Sequence, residues 1–243
     1  MTPDHSNQHD SRPRLAVIIV SWTVREDLQV CLESIFEGNA GNDYQVIVVD
    51  NNSTDGTVQL VKEQFPQVGL IENEHNVGFA AANNQGLQAV DAEYYLLLNP
   101  DTIVPEGAFE TLLEFADAHP DAGVIGPKQV HPDGALQYSC RRFPTIAAAV
   151  FRHTVFGRLF PQAGSPRHYL MMDWDHSKPR QVDWVSGAVM LIRDEALQEV
   201  GLLDEGFFWG SEDVDYCFRV HKAGWKVMYT PEPTIIHAIG KST

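Results

Sequence analysis

Leu15-Ala-Val-Ile-Ile-Val20 is an unbroken apolar run between polar neighbours, the pattern of a strand covered on both faces. Leu28, Cys31, Leu32 and Ile35 then recur at helical spacing and stop before Gly38. Val46-Ile-Val-Val49 predicts a second buried strand, and Val58, Leu60, Val61 and Phe65 a second helix closed by Pro66. A short strand over Val68 to Ile71 follows. The Ala-rich stretch from Phe79 to Val90 predicts a helix, and Tyr94 to Leu98 a fourth strand. Pro105 suits a first helical turn, continued by Phe109, Leu112, Leu113 and Ala116; Val124-Ile125 closes this regular part.

Strands alternating with helices predict an α/β fold with a mostly parallel, Rossmann-like central sheet and helices on both faces. Ligands bind such sheets beyond the carboxyl ends of the strands. The polar residues at those ends are Ser21, Asp50-Asn51-Asn52, Asn73 to Asn76 and Asn99-Pro100-Asp101. After about residue 127 the rhythm changes. His131-Pro-Asp-Gly134 predicts a turn, Phe143 to Pro161 is apolar and basic, Arg167 to Lys178 is irregular, and Val182 to Ile192 is strand-like. A helix over Val214 to Ala223 ends at Gly224. This second half holds too little core of its own for a separate domain and reads as a lid or acceptor region. The organisation expected is a loose tail over 1–13 and one domain over 14–243.

With 44% hydrophobic and 21% charged residues the chain is of ordinary globular composition. Its formal charge of −16 excludes a whole-surface nucleic-acid binder, which needs the opposite sign. A phosphate-bearing ligand would need a cation or a few local positive groups. Cys31, Cys140 and Cys217 are far apart and odd in number, with no zinc spacing, which fits a reducing compartment. The residues before Leu15 lack the apolar core of a signal peptide, and the run to Val20 is too short to span a bilayer. The expectation is a cytoplasmic protein, at most peripheral to the inner face of the membrane.

No Gly-x-Gly-x-x-Gly follows the first strand, and Gly240-Lys-Ser-Thr243 lacks the rest of a P-loop. Asp50 at a strand end can bind a base or a loop backbone, or belong to a polar turn in which Ser53, Thr54 or Asp55 caps the next helix. Asp101 can ligate a hard cation carrying a diphosphate, or cap the helix near Pro105. Glu212 and Asp213 follow Phe207-Phe-Trp209; they can favour a helix dipole, or serve as a base with its pKa raised by the aromatic wall. His237, after Thr234-Ile-Ile236, can be a ligand or a satisfied structural histidine.

In order along the chain, Val48-Val-Asp-Asn-Asn-Ser-Thr-Asp-Gly56, Asn76-Val-Gly-Phe79, Leu98-Asn-Pro-Asp101, Ser186-Gly-Ala188, Glu212-Asp-Val-Asp215 and His237 resemble the inverting family-2 glycosyltransferases with the GT-A fold. The resemblance covers nearly all of residues 14 to 243. The Asn-Pro-Asp form and the closing His-x-x-Gly-Lys-Ser are most similar to the bacterial rhamnosyltransferase branch, which uses dTDP-rhamnose.

The resemblance implies a nucleotide-sugar-binding half over 14–127 and an acceptor-side half over 128–243. It implies that Asp50 binds the pyrimidine base, Ser21 lines the base pocket, and Asn76, Gly78 and Asn83 shape the ribose and phosphate side. Asp101 takes the place of the second acid of the family's Asp-x-Asp, holding Mg²⁺ or Mn²⁺ with His237; Asn99 replaces the first acid. Asp213 matches the general base, with Glu212 beside it, and Arg219 a basic helix position with a structural role. The implied activity is metal-assisted transfer of a hexose, rhamnose in the branch resembled, from a dTDP- or UDP-sugar to a glycan or lipid-linked acceptor. Competing readings are a catalytically weak nucleotide-sugar-binding module and a sugar-phosphate nucleotidyltransferase, although Ser21 to Glu26 holds no Gly for the latter's loop. Residues 145–160 set Ile146, Val150, Phe151, Val155, Phe156, Leu159 and Phe160 among Arg152, His153 and Arg158. An amphipathic helix there would rest on a membrane or cover the acceptor side of the core.

Overall fold

The structure is a computed structural model that describes residues 12–39, 43–143, 168–208 and 210–238. Strand β1 (Leu15–Ser21) is buried along its whole length because it pairs in parallel with β2 (Tyr44–Asp50) on one side and β4 (Tyr94–Leu98) on the other. Its side chains alternate between two cores, as strand geometry requires. Leu15, Val17 and Ile19 pack with α1 (Arg25–Gly38), α2 (Thr57–Gln64) and α4 (Ala108–Ala118). Ala16, Ile18 and Val20 pack with α3 (Phe79–Ala89), α5 (Asp194–Val200) and α6 (Glu212–Lys222). Helices therefore cover both faces, as expected. Gly86 lets α3 lie directly on β1: a Cβ there would come within 2.3 Å of Ile18 Cγ2.

The sheet runs β3-β2-β1-β4-β11-β6-β12-β5, with β3 over Gly69–Glu72. The order reverses between β1 and β4, which opens a crevice at their carboxyl ends. β6 (Ala122–Val130) and β12 (Lys226–His237) run with β1 to β4, whereas β11 (Val189–Arg193) is antiparallel between β4 and β6. The short β5 (Thr102–Ile103) pairs antiparallel with the end of β12, bringing His237 opposite Thr102. β7 (Leu136–Gln137) pairs with β6 and β9 (Arg180–Gln181) with β12, while β8 (Cys140–Arg141) and β10 (Trp184–Val185) form a separate two-stranded sheet.

Several expectations change. The helix expected from Pro105 starts at Ala108, after Gly107 in a left-handed conformation, because the chain first pairs as β5 and turns. The strand expected over Val182 to Ile192 is two strands in different sheets, separated at Ser186-Gly187-Ala188. β6 extends past Ile125 to Val130, and His237 ends a twelve-residue strand rather than a short apolar run. The turn at His131 is present, closed by Gly134 N donating to His131 O at 2.8 Å. The three cysteines are buried free thiols. The tail over 1–11, the stretch over 145–160 and the Gly240-Lys-Ser-Thr243 end lie outside the described residues.

Candidate active site

A cavity of about 680 Å³ opens beyond the carboxyl ends of the strands, with Trp22, Asn51, Asn99, Gly187, Asp213 and His237 in its wall. Its contributors come from the ends of β1 and β12, the residues just after β2 and β4, the loop into α3, the break between β10 and β11, and the start of α6. Of the residues singled out in the sequence, Asn76, Gly78, Glu212, Asp213 and His237 line it directly. Ser21, Asp50 and Asp101 are buried beside lining residues, and Asn83 stands apart.

Ser21 and Asp50 face each other across the β1–β2 register. Asp50 Oδ2 accepts from Ser53 N at 2.9 Å, while Asp50 Oδ1 and Ser21 Oγ are buried without a hydrogen-bond partner. Asp55, not Asp50, does the helix-end work: it accepts from Arg25 N at the start of α1 and from Thr57 N at the start of α2. Asn51 joins the loops, donating to Gly78 O at 3.4 Å and accepting from Asn73 Nδ2 at 2.9 Å. Asn76 Oδ1 accepts from Gly78 N at 2.9 Å. Gly78 has φ +89°, and a Cβ there would lie 2.8 Å from Phe208 O, so the segment before α6 closes directly on it. Asn83, expected on the phosphate side, lies in α3 outside the cavity wall, and its Nδ2 donates to Phe79 O at 2.9 Å, a backbone partner four residues away.

Asp101 and His237 meet although 136 positions apart in the chain, with His237 Nε2 standing 3.2 Å from Asp101 Oδ1. Gln137 decides which electrons face that gap. Its Nε2 donates to the His237 carbonyl and, at 3.1 Å, to His131 Nδ1, which turns its Oε1 toward His237 Nδ1 at 3.0 Å. An amide oxygen only accepts, so Nδ1 carries a proton, and in the neutral form of the ring the Nε2 lone pair is the one that faces Asp101. Asn99 Nδ2 is 3.4 Å from the same nitrogen. Both Asp101 carboxylate oxygens are buried without a hydrogen-bond partner. A carboxylate and an imidazole lone pair sharing a buried gap suit a divalent cation. Among the described residues no third His, Cys, Asp or Glu joins them. Gln137 escaped the sequence reading because it sits on a two-residue strand 100 positions from its partner, with no local signature.

Asp213 begins α6. Its Oδ2 accepts from Gly187 N at 3.1 Å and its Oδ1 from Val214 N at 2.8 Å. Burial pushes its carboxyl above the ordinary value, and those N–H groups and the nearby Arg141 charge pull partly the other way. Burial likewise raises Glu212, whose Oε2 is buried without a partner; the Asp213 charge adds to the shift. Asp215 behaves differently, pairing with Arg219 at 2.7 Å, and Arg219 also donates to Val200 O, the structural role expected of it.

The glycosyl transferase family 2 model matches residues 16–200. The chain belongs to that family. It is 32% identical over 240 residues to the N-acetylglucosaminyl-diphospho-decaprenol L-rhamnosyltransferase of Mycobacterium tuberculosis, covering 94% of this chain and 77% of the relative. It is 25% identical over 228 residues to the rhamnosyltransferase WbbL of Escherichia coli K12, covering 91% and 82%. Among solved structures, the mannosyltransferase PcManGT from Pyrobaculum calidifontis in complex with GDP-Man and Mn²⁺ superposes with a TM-score of 0.65 at 20% identity, over 96% of this chain. GalNAc-T7 with UDP, GalNAc and Mn²⁺ superposes at 0.67 and 16% identity, over 94%. The chain spans 59% and 44% of the lengths of those two structures. These neighbours share the GT-A fold. The protein is a glycosyltransferase, and two structural neighbours bind a divalent metal with a nucleotide or nucleotide sugar. Among the described residues no helix of this glycosyltransferase is long and apolar enough to cross a membrane.

Proposed function

We propose that this glycosyltransferase moves L-rhamnose from dTDP-rhamnose to a lipid-linked glycan acceptor, with inversion at the anomeric carbon. The observation that carries the reading is one cavity whose wall holds both Asp213, a half-buried carboxylate with a raised pKa, and His237, whose Nε2 faces the unpartnered Asp101. The named activities of the Mycobacterium and Escherichia relatives support the choice of sugar, and the former's name supports a lipid diphosphate acceptor.

A sugar hydroxyl is a weak nucleophile, so Asp213 takes its proton as the oxygen attacks the anomeric carbon. The bond from that carbon to the diphosphate oxygen breaks in the same displacement, and the configuration inverts. Gly187 N and Val214 N hold the Asp213 carboxylate in a fixed orientation for this transfer. Asp101 and His237 would hold Mg²⁺ or Mn²⁺, which when bound neutralises charge on the leaving nucleoside diphosphate. Ser21 and Asp50, each with a buried unpartnered oxygen, receive the base, and Asn76 and Gly78 border the ribose and phosphates. Residues 14–243 act as one catalytic unit in the cytoplasm at the inner membrane face, the donor side built by 14–127 and the acceptor side by 128–243.

The test is incubation with dTDP-rhamnose, divalent metal and a short-chain prenyl-diphospho-N-acetylglucosamine, followed by NMR of the product. A new rhamnosidic linkage of inverted configuration is expected. Donor binding without transfer, or pyrophosphate release from a nucleoside triphosphate, would overturn the reading.

A further inference from the structure

Arg141 lies on β8 opposite Trp184 of β10, and β10 runs directly into Ser186-Gly187, the segment that holds Asp213. Its guanidinium is fixed on three sides. It stacks 5.0 Å from the Trp184 ring centroid and 5.8 Å from that of Tyr169, and its Nε donates to Tyr138 O at 3.1 Å. Among the described residues its two Nη groups make no hydrogen bond, and no carboxylate forms an ion pair with it or with its neighbours Arg142 and Arg180. Arg142 Nε is buried without a partner, and Arg180 is held over the Trp174 ring at 5.2 Å.

Unpaired guanidiniums are unexpected on a chain of formal charge −16. A surface arginine there would ordinarily find one of the many carboxylates. Here the backbone and two aromatic rings orient the planar fork and, among the described residues, leave its Nη groups without a hydrogen-bond partner, the donors that recognise a phosphate in pairs. The ring contacts also remove much of the side-chain freedom that anion binding would otherwise have to restrict.

We infer that Arg141, flanked by Arg142 and Arg180, is a phosphate-binding subsite beside the Asp213 wall and that it takes the diphosphate of the acceptor. The inference rests on the proposed transfer to a lipid diphosphate and deepens it. It also separates the two diphosphates of the reaction: the donor's falls to Asp101 and His237, the acceptor's to a fork of guanidinium N–H groups. A positive group at this place lets an acidic protein hold an anionic acceptor without a second cation.

The experiment is calorimetric titration of the full chain, with its donor site saturated by dTDP and Mg²⁺, using octyl diphosphate and, as the uncharged control, octyl glucoside. Octyl diphosphate is expected to bind about ten-fold or more weakly to Arg141→Gln, with Arg141→Lys between the two. Octyl glucoside should not distinguish the three proteins. Equal octyl diphosphate affinity in wild type and Arg141→Gln, or no binding by wild type, overturns the subsite. Melting curves of both variants check folding; a folded Arg141→Lys that matches Arg141→Gln in melting but exceeds it in affinity supports a direct contact. Sedimentation with phosphatidylglycerol vesicles forms a second arm. Arg141-dependent vesicle binding without octyl diphosphate binding makes the anion a lipid headgroup and overturns the acceptor assignment. Because the readout is binding, failure of the transferase reading appears separately, as absent rhamnosyl transfer by protein that still binds octyl diphosphate.

Discussion

Gln137 Oε1 lies 3.0 Å from His237 Nδ1, and this contact sets the tautomer of the ring that faces Asp101. A histidine at a metal site is commonly oriented through its second nitrogen, and the amide of Gln137 supplies that orientation from a different strand. Gln137→Leu should therefore weaken Mn²⁺ binding by about 10–100-fold. Manganese titration by electron paramagnetic resonance reads the affinity, and imidazole nitrogen shifts read the tautomer. A retained Nδ1-protonated ring with unchanged affinity would refute the role of Gln137.

Asp101→Ala should remove the metal-dependent part of donor binding. The thermal shift produced by dTDP-rhamnose should be larger with Mn²⁺ than without it for wild type, and equal in the two conditions for the variant. A metal increment that survives the substitution would move the cation away from Asp101.

Asp213→Asn should lower kcat by about 10²–10⁴-fold while leaving donor affinity nearly unchanged. Asn keeps one acceptor oxygen for Gly187 N or Val214 N, so folding should hold. Single-turnover kinetics alongside donor calorimetry separate the two effects. The wild-type rate should fall as pH drops through the Asp213 pKa, which burial raises above the ordinary aspartate value. Since the Arg141 charge favours the ionised Asp213, Arg141→Gln should move that acid limb to higher pH.

Glu212 offers a stability test. Its folded pKa is raised by burial, so its contribution is fully present below the ordinary glutamate value and is lost as pH rises through the folded one. Glu212→Gln should consequently raise Tm relative to wild type at pH 8 and not at pH 4. A Tm difference independent of pH would show that the Glu212 charge is not the destabilising element.

Gly78→Ala forces a side chain into a left-handed backbone and against Phe208, whose carbonyl would lie 2.8 Å from the new Cβ. A loss of roughly 1–3 kcal/mol is expected, measurable by urea denaturation. Weaker donor binding should accompany it, since Gly78 and Phe208 both line the cavity.

Much of the first half was legible in advance. The run from Leu15 to Val20 could only be a strand buried on both faces, and the spacing of Leu28, Cys31, Leu32 and Ile35 names the buried face of α1. Asn76, Gly78, Glu212, Asp213 and His237 carry a signature in the sequence itself and share one cavity. Asn83 donates within its own helix, and an amide that serves its own helix and one that faces a ligand look alike in a polar-apolar pattern.

Local periodicity and the polar residues that end each strand dictated the fold class, the two helical faces and the edge at which ligands bind, since each depends only on which side of one element is apolar. The antiparallel insertion of β11, the break at Ser186-Gly187, the pairing of β5 with β12 and the meeting of Asp101, Gln137 and His237 were settled by the folded molecule alone. Those contacts join positions far apart in the chain. Their partners are chosen by sheet closure and by buried hydrogen-bonding groups seeking one another, and neither leaves a mark on the neighbouring residues.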